Sequence, residues 1–69
     1  MRWIAYSPGD KYAIKLLDNA GCATHSVARI ILASGCWYEA WRLGDVLTYL
    51  GKFRSAEEAK AECVEDATR

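Results

Sequence analysis

A strand that runs into a glycine, turns, and enters a capped helix constrains this chain more than any other feature. The stretch is Tyr49-Leu50-Gly51-Lys52-Phe53-Arg54-Ser55-Ala56-Glu57-Glu58-Ala59. Ser55 followed three residues later by Glu58 is a capping box: the hydroxyl accepts from a first-turn N–H, and the glutamate reaches back. Beyond it, Ala56, Ala59, Cys63 and Ala67 recur at helical spacing with Val64 beside them. Residues 55–67 are therefore predicted to be a helix with a stripe of small residues. Such a stripe lets a helix lie close to a sheet. The bulk is expected from the sheet side, with Trp37, Trp41, Leu50 and Phe53 under the helix.

Upstream, the pattern is of strands and tight turns. Residues 2–7 read as a strand, Pro8-Gly9 as a turn, and residues 11–18 as a second strand in which Tyr12, Ile14 and Leu16 alternate with other residues. Residues 18–21 are a loop. Residues 24–33 are rich in β-branched side chains and read as a strand, with Ser34-Gly35 as a two-residue hairpin turn. A helix there, with Thr24 or Ser26 as N-cap, is the alternative and would give a ββαββα order. Residues 36–43 and 46–50 are the last strands, joined by Gly44-Asp45 as a type II′ turn. The expected fold is α+β: an antiparallel meander of four to five strands, covered on one face by the C-terminal helix.

The 69 residues make one domain. A domain of this size buries only about 60% of the surface its unfolded chain exposes, so each large apolar side chain matters to stability. No apolar run approaches the roughly 20 residues of a membrane helix, and the N-terminus lacks a secretory h-region. A cytoplasmic location, the host cell's cytosol, is expected. Cys22, Cys36 and Cys63 are an odd count, which fits free, buried thiols better than a disulfide set. The net charge is zero but polarised. Residues 1–54 carry seven basic and four acidic side chains, net +3, and residues 55–69 carry two and five, net −3.

Two segments carry a resemblance. Gly35-Cys36-Trp37-Tyr38-Glu39-Ala40-Trp41-Arg42 and the strand–helix junction of residues 49–59 together resemble the AP2/integrase-arm DNA-binding pattern. That pattern joins a three-stranded sheet to one helix and reads DNA from the sheet face opposite the helix. The junction is also similar to that of small phage-type proteins. Transferred residue by residue, the resemblance places Tyr38, Ala40, Arg42, Leu47 and Tyr49 on the DNA-facing side. Arg42 and Tyr49 suit base or phosphate contact, while Ala40 and Leu47 stand where the family uses charged side chains.

Candidate sites follow from charge and residue type. Glu58, Glu62 and Asp66 are spaced i, i+4, i+8, with Glu57 and Glu65 alongside. They form a ladder of carboxylates roughly 6 Å apart, able to imitate a phosphate backbone. Tyr38, Arg42 and Tyr49 make a second candidate contact surface, because Tyr, Trp and Arg anchor interfaces. Cys22-x-x-His25 has no second paired knuckle, so a structural thiol and a surface histidine are expected rather than a metal site. One histidine and no nucleophile elbow or phosphate loop give no catalytic constellation. Neither enzyme activity nor a cofactor is expected.

The functional expectation is a non-enzymatic phage-type binding protein, anti-CRISPR-like, acting as a monomer or small homo-oligomer. It would dock its acidic helix face on a host nucleic-acid-handling complex and inhibit it. The competing readings are a small DNA-binding module using a basic sheet face, with Arg29, Arg42, Lys52 and Arg54 on phosphates, and a structural or accessory oligomer pairing through an edge strand at residues 2–7.

Overall fold

The structure, a computed structural model, describes residues 1–6 and 12–69. Five antiparallel strands lie in chain order in one open sheet: β1 (Arg2–Ala5), β2 (Ala13–Leu17), β3 (Ala23–Leu32), β4 (Gly35–Arg42) and β5 (Thr48–Phe53). One helix, α1 (Ala56–Thr68), follows and packs over β3, β4 and β5. This is the α+β meander the sequence predicts. The β-branched segment of residues 24–33 is strand, not helix, so the order is not ββαββα. The Pro8-Gly9 turn lies outside the described residues.

Three turns differ from their expected form. The β3–β4 hairpin pairs Leu32 with Gly35, so its loop is Ala33-Ser34 rather than Ser34-Gly35. Gly35 is instead the first strand residue, with a φ of +121° that a side chain rarely tolerates. Gly44 has no positive φ, so the type II′ turn does not form. A five-residue connection, 43–47, takes its place, and Leu43 N–H donates to Thr24 C=O at 2.8 Å to extend the ladder. Strand β5 also runs on through Gly51 to Phe53. Gly51, with φ +136°, pairs with Ala40 where the β4–β5 register shifts. A bulge of this kind needs a residue without a Cβ penalty.

The core sits between α1 and one sheet face. Ile14, Leu16, Val27, Ala40, Ala59 and Cys63 are buried there, with Trp3, Tyr12, Tyr38, Leu50 and Phe53 packed around them. Val27, Ala40, Ala59 and Cys63 are each 0% exposed. Val27 and Ala40 are cross-strand partners, and both are fully enclosed under the helix. Ser55 caps α1: its side chain accepts from Glu58 N–H at 3.2 Å.

The β4 face is the main correction to the expected core. Since Tyr38 and Ala40 point toward the helix, the strand's period of two sends Trp37, Glu39 and Trp41 to the other side. Trp37 and Trp41 are therefore not under the helix. Bulk is excluded where the helix sits closest, because overfilling a packed core forces backbone shifts. Ala59→Leu is accordingly expected to lower stability by about 1–3 kcal/mol in urea denaturation, whereas Ser55→Ala should cost about 1 kcal/mol through the lost cap alone. An unchanged midpoint for Ala59→Leu would show that the helix is not seated tightly.

Candidate functional site

The acidic helix does not present its expected ladder. Asp66 turns inward, with its side chain only 5% exposed. Ala59, Cys63 and Asp66 are spaced i, i+4, i+7, so Asp66 belongs to the buried stripe and not to the outer face. Glu62 and Glu65 each lie 3.4 Å from Arg69, and Glu57 lies 3.7 Å from Lys60. Among the described residues, Glu58 is exposed and makes no ion pair. The outward, weakly compensated charge is therefore concentrated in the first turn, at Glu57 and Glu58, where it also favours the positive end of the helix.

Asp66 closes on a histidine that was expected at the surface. His25 is 3% exposed, and its Nε2 is 2.8 Å from Asp66 Oδ2. Its Nδ1 is 2.9 Å from Thr24 Oγ1, while the Thr24 hydroxyl donates to Leu16 C=O at 3.3 Å. His25 is thus held at both ring nitrogens, by the Asp66 carboxylate on one side and the Thr24 hydroxyl on the other. Arg42 adds a contact of 3.3 Å to Asp66 Oδ1, and Arg69 one of 3.6 Å. The His25 hydrogen bond, then Arg42 and Arg69, hold the Asp66 carboxyl below its usual range against the opposing effect of burial. Nearby, burial first and then Asp66 and Glu62 push the Cys63 thiol up to about 11, so it stays protonated at neutral pH. Cys22 and Cys36 are exposed, and only Cys63 is a buried thiol. Among the described residues, no cluster of three or more His, Cys, Asp or Glu can hold a metal ion.

The expected sheet site is split between two faces. Tyr38 lies on the helix-covered side, edge-on to Tyr12 at 5.5 Å, and Arg42 on that side reaches Asp66. Arg29, the cross-strand partner of Tyr38, shares their side. Of the three, only Tyr49 is on the uncovered face. Its ring meets Trp41 at 4.9 Å, and burial first, then the nearby Glu39 carboxylate, raise its pKa.

On the face away from the helix, Lys52 and Arg54, which the sequence reading put on phosphates, stand beside aromatic rings that it did not pair with them. Lys52 Nζ lies 4.7 Å and Arg54 Cζ 3.9 Å from the Trp37 ring centre, and Lys15 Nζ lies 4.4 Å from that of Tyr6. Trp37 is fixed by a 2.8 Å bond from its indole N–H to Ser34 Oγ. Arg54 is tethered by a 3.2 Å bond to Ser34 C=O. Between these cation–aromatic pairs lies a groove of about 260 Å³, lined by Tyr6, Ser26, Ala28, Trp41, Leu43 and Leu47. Small residues of β3 form its floor, and larger side chains from Tyr6 just after β1, from β4 and from the 43–47 connection stand around it. The signal was available: the alternation Trp37-Glu39-Trp41 places both tryptophans on whichever face Ala40 leaves.

No protein-family model matches the chain, and no curated protein or solved structure matches it either.

The Asp66 cluster makes a pH-dependent prediction. A carboxylate whose folded pKa is lowered stabilises the fold above its unfolded value, and that contribution disappears as pH falls through the folded value. Asp66→Asn should cost about 1–3 kcal/mol at pH 7, because His25 loses its hydrogen bond to a carboxylate and the half-exposed Arg42 its ion pair. The gap to the unmodified protein should start to narrow at about pH 4, where the unfolded carboxyl takes up its proton, and close as pH falls through the lower folded value. Urea melts at both pH values check this, and equal stability at pH 7 would contradict it.

Proposed function

We propose that this chain is a non-enzymatic binding module that takes nucleic acid on its uncovered sheet face. The observation that supports this best is the interleaving of aromatic rings with cations on that face, with most acidic residues on the helix behind it. Lys52 and Arg54 flank Trp37, and Lys15 flanks Tyr6. Arg2 shares the face, because its neighbour Trp3 packs on the core side. Cations of this kind neutralise phosphates, and rings beside them accept bases by stacking. Glu39 is an acidic side chain on this face. Lys52 is its cross-strand partner.

The second reading is docking of the helix on a host nucleic-acid-handling complex, as an anti-CRISPR-like inhibitor would do. Its specific support is the first turn of α1, where Glu57 is 85% exposed and Glu58 is also exposed. It is the weaker reading, because Glu62, Glu65 and Asp66 are already engaged by Arg69, and Asp66 also by His25 and Arg42. Among the described residues, no helix is long and apolar enough to cross a membrane.

Fluorescence anisotropy with a labelled oligonucleotide separates the two. Three phosphate contacts from Lys15, Lys52 and Arg54 predict affinity falling roughly 20-fold between about 50 and 200 mM salt on a single strand. Replacing Lys52 and Arg54 by Ala should flatten that slope, and Glu57→Lys with Glu58→Lys should leave binding intact or tighter. No binding at low salt would refute the proposal. A host protein captured by the unmodified chain and lost with the two glutamate changes would favour the second reading.

A further inference from the structure

We infer that the groove between Tyr6, Trp41, Leu43 and Leu47 seats one unstacked nucleobase, so that the domain selects single-stranded over duplex nucleic acid. The inference rests on the open sheet face being the nucleic-acid surface, and it adds which form of nucleic acid is taken and where. Three features carry it.

The first is shape. The floor is Ser26 and Ala28, two small residues on β3, and the walls are two aromatic and two aliphatic side chains. The resulting volume of about 260 Å³ is below the roughly 300 Å³ at which sites for drug-sized ligands begin. It suits a single ring system. A base inside a duplex is stacked on both faces and cannot enter, whereas the bases of a single strand can splay out against aromatic side chains.

The second is rigidity. Trp41 is braced by Tyr49, whose ring centre is 4.9 Å away at an interplanar angle of 61°. A wall that is already fixed loses little side-chain entropy when a base stacks on it.

The third is charge, which decides between a base and an apolar side chain of a protein partner as the occupant. Lys15 stands at the Tyr6 wall. Lys52 and Arg54 stand at Trp37, four residues along β4 from Trp41 and thus about 13 Å from it. Cations on two sides of an apolar slot match a ligand that is flat and apolar at its centre and anionic along its backbone. Ser26, at the floor, contributes a hydroxyl that can donate to or accept from the edge of a base.

The test uses a labelled oligo-dT of about ten nucleotides, long enough to span the groove and the flanking cations. The same strand with one abasic position and a hairpin duplex of equal length complete the set, with anisotropy read at low salt. The single strand is expected to bind about tenfold more tightly than the duplex, and Trp41→Ala should remove about tenfold of single-strand affinity while leaving duplex binding nearly unchanged. Trp41→Phe should restore most of the loss. Ala28→Leu, which fills the groove from its floor without removing a wall, should reproduce the loss in a variant whose circular dichroism is unchanged. Equal affinity for strand and duplex would overturn the groove assignment, and so would an intact single-strand affinity in both Trp41→Ala and Ala28→Leu. Either result would leave the sheet face as a nucleic-acid surface. Absence of binding to every probe would instead remove the face reading itself, and the groove assignment with it.

Discussion

The seating of Ala59 and Cys63 of α1 against Val27 and Ala40 of the sheet decides the rest of the structure. All four are fully enclosed. Small side chains at that contact let the helix approach the sheet closely, and close approach forbids bulk beneath it. Because side chains alternate along a strand, choosing Ala40 for the covered face assigns every other residue of β4. Trp37 and Trp41 are thereby sent outward, next to Lys52, Arg54 and Tyr49. The aromatic, cationic character of the open face is a consequence of a packing constraint on the opposite one.

A second fastening acts at the far end of the helix. Asp66 meets His25 of β3 and Arg42 of β4, both carried on the helix-covered side of the sheet. A carboxylate in the last turns of a helix opposes the helix dipole, so its placement there depends on the cations that surround it. The apolar contact sets how close the helix lies, and the ionic contact sets where its C-terminal end rests. The same contact withdraws the most buried acidic residue from any external partner, which is why the helix is a less acidic surface than its composition suggests.

Much of the fold was legible in the sequence. Ser55 and Glu58 mark the helix start, the β-branched run of residues 24–33 forms a strand, and the meander order follows from turns separating short periodic segments. The glycines were legible as punctuation but not as geometry. Gly35 and Gly51 take positive φ inside strands, one beside a hairpin loop and one at a register shift, while Gly44 takes none. Those positions depend on how neighbouring strands pair, which local pattern does not specify. The site was harder to see. Both alternating sets of β4 contain aromatic residues, and ranking burial by bulk favoured the tryptophans over Ala40. Tyr49 was placed correctly on the open face, whereas Tyr38 and Arg42 are on the other. Asp66 shared helical spacing with Cys63 and Ala59, a sign that it faced inward, but its charge drew it into the acidic set.

The helix uses up one sheet face, and the other is the one proposed here to take a ligand. Amide and indole chemical-shift mapping during titration with a short single-stranded oligonucleotide tests this most directly. The account predicts that shifts concentrate on Gly35–Arg42, Thr48–Phe53 and the indole N–H groups of Trp37 and Trp41, with residues 57–65 of the helix unmoved. Shifts confined to the first turn of α1, or none anywhere at low salt, would contradict it.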